Sequence, residues 1–263
     1  MELFALCLDA LLEPEPLRKC QQTHTLYMYW KSGRVCCDWE SPVLEIMEPG
    51  RPDRPVLVPP QAVPRRKVAS NKGRAALIHA ITHIEFNAIN LALDAAYRFR
   101  GLPNAYYGDW LKVAAEEATH FKLLRTHLQS LGYDYGEFPA HNGLWEMAVK
   151  TAHDPLVRMA LVPRVLEARG LDATPAIVEK LKTVHDQKAV EILATIERDE
   201  IGHVAIGSRW YLYLCQKRDL DPLKMFRNLL DEYDAPPLKP PFNIDGRRAG
   251  GFSESELLWL RSL

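Results

Sequence analysis

Thiol chemistry has little material in this sequence. The five cysteines, Cys7, Cys20, Cys36, Cys37 and Cys215, are odd in number and contain no Cys-x-x-Cys spacing. Neither a disulfide framework nor a thiolate zinc site is supported, and a reducing cytoplasm is the expected setting. Excess charge is missing too. Lys and Arg number 33 against 34 Asp and Glu, a net charge of −1. That leaves no electrostatic argument for binding nucleic acid or an anionic membrane surface. No unbroken apolar run approaches the ~20 residues that a bilayer crossing requires. The segment from Met1 to Leu12 is apolar but carries Glu2 and Asp9 and no basic residue. It reads as an amphipathic helix, not a signal peptide.

What is present is ordinary globular composition, 47% hydrophobic and 25% charged over 263 residues. Helical signals dominate, and nothing points to a sheet of consequence. Residues 1–66 read as an N-terminal extension. It has two short helices parted by Pro14 and Pro16, with Tyr27, Tyr29 and Trp30 buried by the second. From residue 41 to 66 the prolines Pro42, Pro49, Pro52, Pro55, Pro59, Pro60 and Pro64 deny helix and sheet their backbone donors. This stretch is expected to form an extended strap packed on the main domain, with Val56, Leu57 and Val58 to bury. The basic run Arg65-Arg66-Lys67 reads as a solvated turn.

Residues 67–220 carry the long helices. The first runs from about Asn71 to Arg100, ending at Gly101, and the second from Pro103 to Gly132, so the tight turn makes them antiparallel neighbours. Asn142 to His153 reads as a connecting helix. Pro155 opens a third long helix that Pro163 should kink and Gly170 should end, with 175–184 as its continuation beyond a break. Asp186 caps the fourth, which runs to about Lys217. Residues 221–263 are expected to be a solvated tail with Arg247 and Arg248, closed by a short helix with Ser253 and Glu256 as a capping box.

Two short motifs stand out against this frame. Glu117-Ala118-Thr119-His120 and Glu200-Ile201-Gly202-His203 are both Glu-x-x-His on helices. Residues three apart lie about 60° around the axis and about 4.5 Å along it, so carboxylate and imidazole project together. Glu85 lies 32 residues before Glu117, and Glu167 lies 33 before Glu200. The order Glu, Glu-x-x-His, Glu, Glu-x-x-His is the ligand order of ferritin-like di-iron and di-manganese carboxylate bundles. Glu85 sits in the apolar stripe Ile78, Ile81, Ala88, Ile89, Ala92, where a carboxylate needs a strong partner. The expected metal ligands are therefore Glu85, Glu117, His120, Glu167, Glu200 and His203, with Glu117 and Glu200 bridging two ions. A carboxylate and imidazole set suits Fe, with Mn as the other choice. Glu197 is either a further ligand or a supporting residue; Glu116, His79 and His83 fit the ligand pattern less well. Asp199, Arg169 and Asp172 either orient ligands or form ion pairs.

The segments His83-Ile84-Glu85-Phe86-Asn87, Glu116-Glu117-Ala118-Thr119-His120-Phe121, Glu167-Ala168-Arg169-Gly170-Leu171-Asp172 and Arg198-Asp199-Glu200-Ile201-Gly202-His203 carry a resemblance. They look like a bacterial ferritin-like domain-of-unknown-function family, over roughly residues 15–250. The Glu-Ala-Arg of the third helix also resembles the tRNA 2-methylthio-isopentenyladenosine hydroxylase group of di-iron proteins. The resemblance implies an all-α, ferritin-like antiparallel four-helix bundle with a di-iron site. It does not carry the tRNA substrate across, because fold and site are shared more widely than substrates.

The expected function is a carboxylate-bridged di-iron oxidoreductase that activates O₂ or peroxide, a hydroxylase or oxygenase served by an electron donor and acting on a small molecule. Two other classes share the ligand set: a metal-handling protein (ferroxidase, storage subunit or Mn-dependent peroxide scavenger) and a bundle with a purely structural metal pair.

Overall fold

Pro14 and Pro16 do separate two helices, α1 (Leu3–Leu12) and α2 (Pro16–Lys31), in the computed structural model, which describes residues 1–63 and 67–263. Arg65 and Arg66 of the basic run lie outside the described residues. Both helices start on a glutamate: Glu2 accepts from the amides of Phe4 and Ala5, and Glu15 from those of Leu17 and Arg18. The carbonyls at the end of α1 are satisfied by a buried ammonium. Lys19 Nζ donates to Ala10 O at 3.1 Å, Leu11 O at 2.7 Å and Asn90 Oδ1 at 2.6 Å. The buried face of α2 is Lys19, Cys20, Thr23 and Leu26. Tyr27, Tyr29 and Trp30 are only half-buried, contrary to the sequence expectation; their flat apolar bodies line the rim of the packing while the inward face goes to smaller side chains.

The chain falls into two compact units, residues 1–149 and 150–263, and both are helical. Isolated bridges (Glu2 with Cys36, Leu57 with Ala140) are the extent of β pairing among the described residues. In the first unit α3 (Asn71–Arg98) and α4 (Asn104–Ser130) form the central pair. Ser70 caps α3, and Gly101 adopts a φ of +72° in the turn that Pro103 closes. Contacts spaced along the pair fix it as antiparallel. Tyr106 Oη donates to Ala95 O near the turn, and Asn71 Nδ2 donates to Leu131 O at the far end. From Glu85 to Tyr97 every residue of α3 is buried. By length and composition α3 would pass as a membrane span, but 72% of its apolar window is buried inside the protein.

The proline-rich stretch is pinned along its length, as a strap. Leu44 N donates to Tyr97 Oη, Gly50 N to Leu11 O, and Trp145 Nε1 to Met47 O. Val58 N and Val56 O both pair with Ala140. Its buried apolar anchor is Ile46, whereas Val56 is 60% exposed. The backbone of 56–58 holds that part down, with Leu57 and Val58 half-buried. The connecting helix α5 (Gly143–Lys150) ends the unit.

In the second unit α6 (Pro155–Leu161) passes into a π-helical turn, Val162–Glu167, and then into α7 (Ala168–Thr183). No break occurs between 170 and 175. Pro163 lacks an N–H and its ring would collide with the carbonyl four residues back; widening the turn to π geometry relieves both problems. Pro175 leaves the carbonyl of Leu171 without its helical donor, and Asn243 Nδ2 supplies one at 3.3 Å. Helix α7 therefore continues straight through Gly170 and Thr174. Helix α8 (Gln187–Lys217) starts on Asp186, whose carboxylate accepts from Ala189 N.

The C-terminal stretch is not a solvated tail. It forms α9 (Pro222–Glu232), α10 (Ile244–Ala249) and α11 (Glu254–Arg261), and Arg247 is fully buried. The capping box of Ser253 and Glu256 is present as expected.

Gly207 of α8 allows α8 to meet the π turn, because a Cβ there would collide with Cβ and Cγ of Pro163. Gly202, one and a half turns away, has open space beside it. Gly207→Ala should cost about 1–3 kcal/mol in denaturant unfolding. Gly202→Ala should be neutral or stabilising, by up to about 1 kcal/mol. Equal effects of the two substitutions would contradict this packing.

Candidate metal centre

In the first unit the hairpin brings three of the expected ligands together. Glu85 lies thirteen residues before the end of α3, and Glu117 lies thirteen after the start of α4, so folding back at Gly101 levels them. His120 follows Glu117 by three residues and shares its face. His120 Nδ1 is 3.2 Å from Glu85 Oε2 and 3.3 Å from Glu117 Oε2. One ligand-type atom from each of the three lies within 4.8 Å of the others. All three are buried, with exposures of 3%, 0% and 1%.

Burying two carboxyl groups beside each other is unfavourable unless positive charge accompanies them. Burial, and then the neighbouring Glu117, push the Glu85 carboxyl up to about 8. For His120 burial disfavours the charged ring, but the hydrogen bonds and charges of Glu117 and Glu85 outweigh it and hold the imidazole up to about 11. Both groups thus retain protons at neutral pH when no other cation is present. Their donor set, two carboxylates and an imidazole nitrogen facing one point, is that of a hard or borderline divalent ion. The residues present therefore fit a metal.

The second unit carries the other three. Glu200 and His203 sit on α8 as an i,i+3 pair, with His203 Nδ1 3.4 Å from Glu200 Oε1. His203 is fully buried, and the Glu200 side chain is 13% exposed. Glu167 closes the π turn and is half-buried. Its height follows from the register of Pro163 against Gly207 and Arg164 Nε on Ser208 Oγ at 3.2 Å. Glu167 thus lies four residues on from Pro163, and His203 four back from Gly207, along the two paired helices. Because α7 runs unbroken to Thr183, Glu167 is far from the helix end.

Neighbouring polar residues have other work. Glu116 pairs with Lys112 at 3.1 Å on a partly exposed face. His83 contacts Tyr135 Oη through Nδ1, and His141 O and Asn87 Nδ2 through Nε2; burial pulls its pKa down to about 4. His79 Nε2 accepts from Gly136 N. These two histidines fasten the loop after α4 to α3. Asp172 pairs with Arg247 at 2.6 Å, and Asp199 with Arg198 at 3.1 Å.

Residues 12–258 match the family described as "Protein of unknown function (DUF455)". The chain belongs to this family. A relative in Haemophilus influenzae, described only as an uncharacterized protein, is 55% identical to this DUF455 chain over 216 residues. That alignment covers 80% of this chain and 75% of the relative. No solved structure matches.

Metal ligands must shed their protons to bind. Loading a divalent ion into metal-free protein at pH 7 should release protons held by Glu85 and His120, and apparent affinity should rise between pH 6 and 8. Calorimetric titration in buffers of different ionisation enthalpy reads this directly. Proton-neutral binding at pH 7 would contradict the assignment.

Proposed function

We propose that this chain is a carboxylate-bridged di-iron oxidoreductase that activates O₂ or peroxide, a hydroxylase or related oxygenase. In this reading α3, α4, the helix from α6 through α7, and α8 are the four helices of a ferritin-like bundle. Glu85, Glu117, His120, Glu167, Glu200 and His203 hold the metals. What supports this reading is that the first unit gathers Glu85, Glu117 and His120 on one antiparallel hairpin, while α8 of the second unit repeats the Glu-x-x-His pair as Glu200 and His203. A single charged cluster has many explanations; a cluster accompanied by a second Glu and a second Glu-x-x-His in the same sequence order has few.

The roles divide by residue. Glu85 with His120 would serve one ion and Glu167 with His203 the other, with Glu117 and Glu200 shared between them. When bound, a reduced pair of iron ions supplies the electrons that reduce O₂ or peroxide. The chain's part is to hold those ions among side chains that neither oxidise readily nor admit water. On the first hairpin Phe86 and Phe121, each next in sequence to a ligand, meet at a tilt with ring centroids 5.6 Å apart, both buried. An external reductant is required to return the ions to the reduced state, so an electron donor is an expected partner. Substitution of manganese would favour peroxide scavenging with the same ligands.

Anaerobic titration with ferrous iron should give two ions per chain, and the reduced protein should consume O₂ rapidly. Glu117→Ala or Glu200→Ala should reduce occupancy to one ion or none, whereas His120→Ala should weaken one site. The metal-free protein should stay helical, since most helix stability comes from packing. If chelation unfolds the chain and the reduced form ignores both O₂ and peroxide, the metal is a structural staple and the enzymatic reading is wrong.

A further inference from the structure

Two buried ion pairs tie the C-terminal stretch to the helix that carries Glu167, one on each side of it. Three residues before Glu167, Arg164 is fully buried in the π turn. Its guanidinium donates through a terminal nitrogen to Glu256 Oε1 at 2.6 Å and through Nε to Ser208 Oγ at 3.2 Å. The rings of Phe252, Tyr211 and Phe226 enclose it at 4.4, 4.6 and 4.8 Å. Five residues after Glu167, Asp172 accepts both from Arg247 (2.6 and 3.1 Å) and from Asn243 N at 2.8 Å. Arg247 is fully buried too. Asn243 also supplies the donor that Pro175 lacks, at Leu171 O.

General packing does not call for this expense. Desolvating two arginines and their carboxylate partners costs more than filling the same volume with apolar side chains. What such pairs do confer is a fixed position, since a fork of N–H donors on a carboxylate sets distance and angle together. A π turn is the place that needs it, because one wide turn rotates every later side chain relative to the helix before it. Glu167 is the last residue of that turn.

We infer that the segment from Phe242 to Glu256 is a positioning device for Glu167, acting through Arg164–Glu256 before it and Asp172–Arg247 after it. The inference rests on the reading of Glu167 as a metal ligand. These are positioning residues: they touch the helix backbone and its flanks, and act on the metal through Glu167.

The test uses the full chain and cobalt(II), whose absorption bands report ligand geometry. Arg164→Met combined with Glu256→Leu removes the first clamp without stranding a charge, so the fold should survive, as circular dichroism will show. One ion should bind as in the wild type, and the second should weaken about 10–100-fold, the usual scale for losing a group that orients a ligand. Arg164→Lys keeps the charge but loses the fork. It should weaken the second ion less and still alter its spectrum at saturation, and it serves if the double variant does not fold. Glu167→Ala is the control and should lose the second ion. If Glu167→Ala loses it while both clamp variants bind two ions with wild-type affinity and spectrum, the positioning role is wrong and the ligand reading stands. If Glu167→Ala keeps both ions, the ligand reading fails and the positioning inference falls with it.

Discussion

Two carboxyl groups and an imidazole, held within hydrogen-bond reach of one another and shut away from water, set the terms for the first unit. Such a group of atoms cannot be left to itself. Its negative charge must be met by protons or by a cation, and the surrounding protein must be rigid enough to keep the groups from escaping to solvent. That explains why α3 is buried on every side along the stretch beginning at Glu85. It also explains the number of separate ties on that helix. Lys19 reaches Asn90, Leu44 is held by Tyr97, and His79 and His83 hold the loop beyond α4. The polar cost is offset by packing around the helix pair.

The second unit meets the same demand by different means. Its ligand helix is irregular, with two prolines and a π turn, and its all-round burial, continuous from residue 156 to 165, stops just before Glu167. Rigidity comes from specific polar contacts between distant parts of the chain. Gly207 lets Pro163 lie against α8, and Asn243 completes the carbonyl that Pro175 leaves open. The two hairpins thus present the same residue pattern through unlike scaffolds. This is what internal similarity confined to the functional side chains, and not to the surrounding helices, looks like.

Much of this was legible from the residues. Ser70, Gly101, Pro103 and Asp186 mark their helix ends by local chemistry that a sequence displays openly, and the i,i+3 motifs place two ligand pairs on helix faces without any tertiary knowledge. The antiparallel pairing that brings Glu85 to Glu117 followed from the tight turn at Gly101. On the second hairpin 175–184 does continue the same helix, but the break expected at Gly170 does not occur. Gly170 and Pro175 are helix breakers in isolation, and only a side chain 72 residues away from Leu171 overrides them. The fate of Arg164 and Arg247 was hidden for the same reason. An arginine in a polar stretch reads as solvated until its carboxylate partner is known, and Arg164 and Glu256 are separated by 92 positions. The misplaced burial of Tyr27, Tyr29 and Trp30 came from reading aromatic content as depth, whereas the inward face of α2 is set by Lys19 and its acceptors.

The sequence distance spanned by the clamps gives the two hairpins different histories in time. A protein emerges from the ribosome from its N-terminus, and its parts fold as they become available. Every contact described around Glu85, Glu117 and His120 is made by residues up to 149, so that group can assemble while the remainder is still being translated. The helix bearing Glu167 cannot be fully set then: Asn243, Arg247 and Glu256 are made later still. Synthesis therefore imposes an order in which the group around Glu85 can be ready early, and the helix bearing Glu167 becomes fixed only after the segment from Phe242 to Glu256 has followed it.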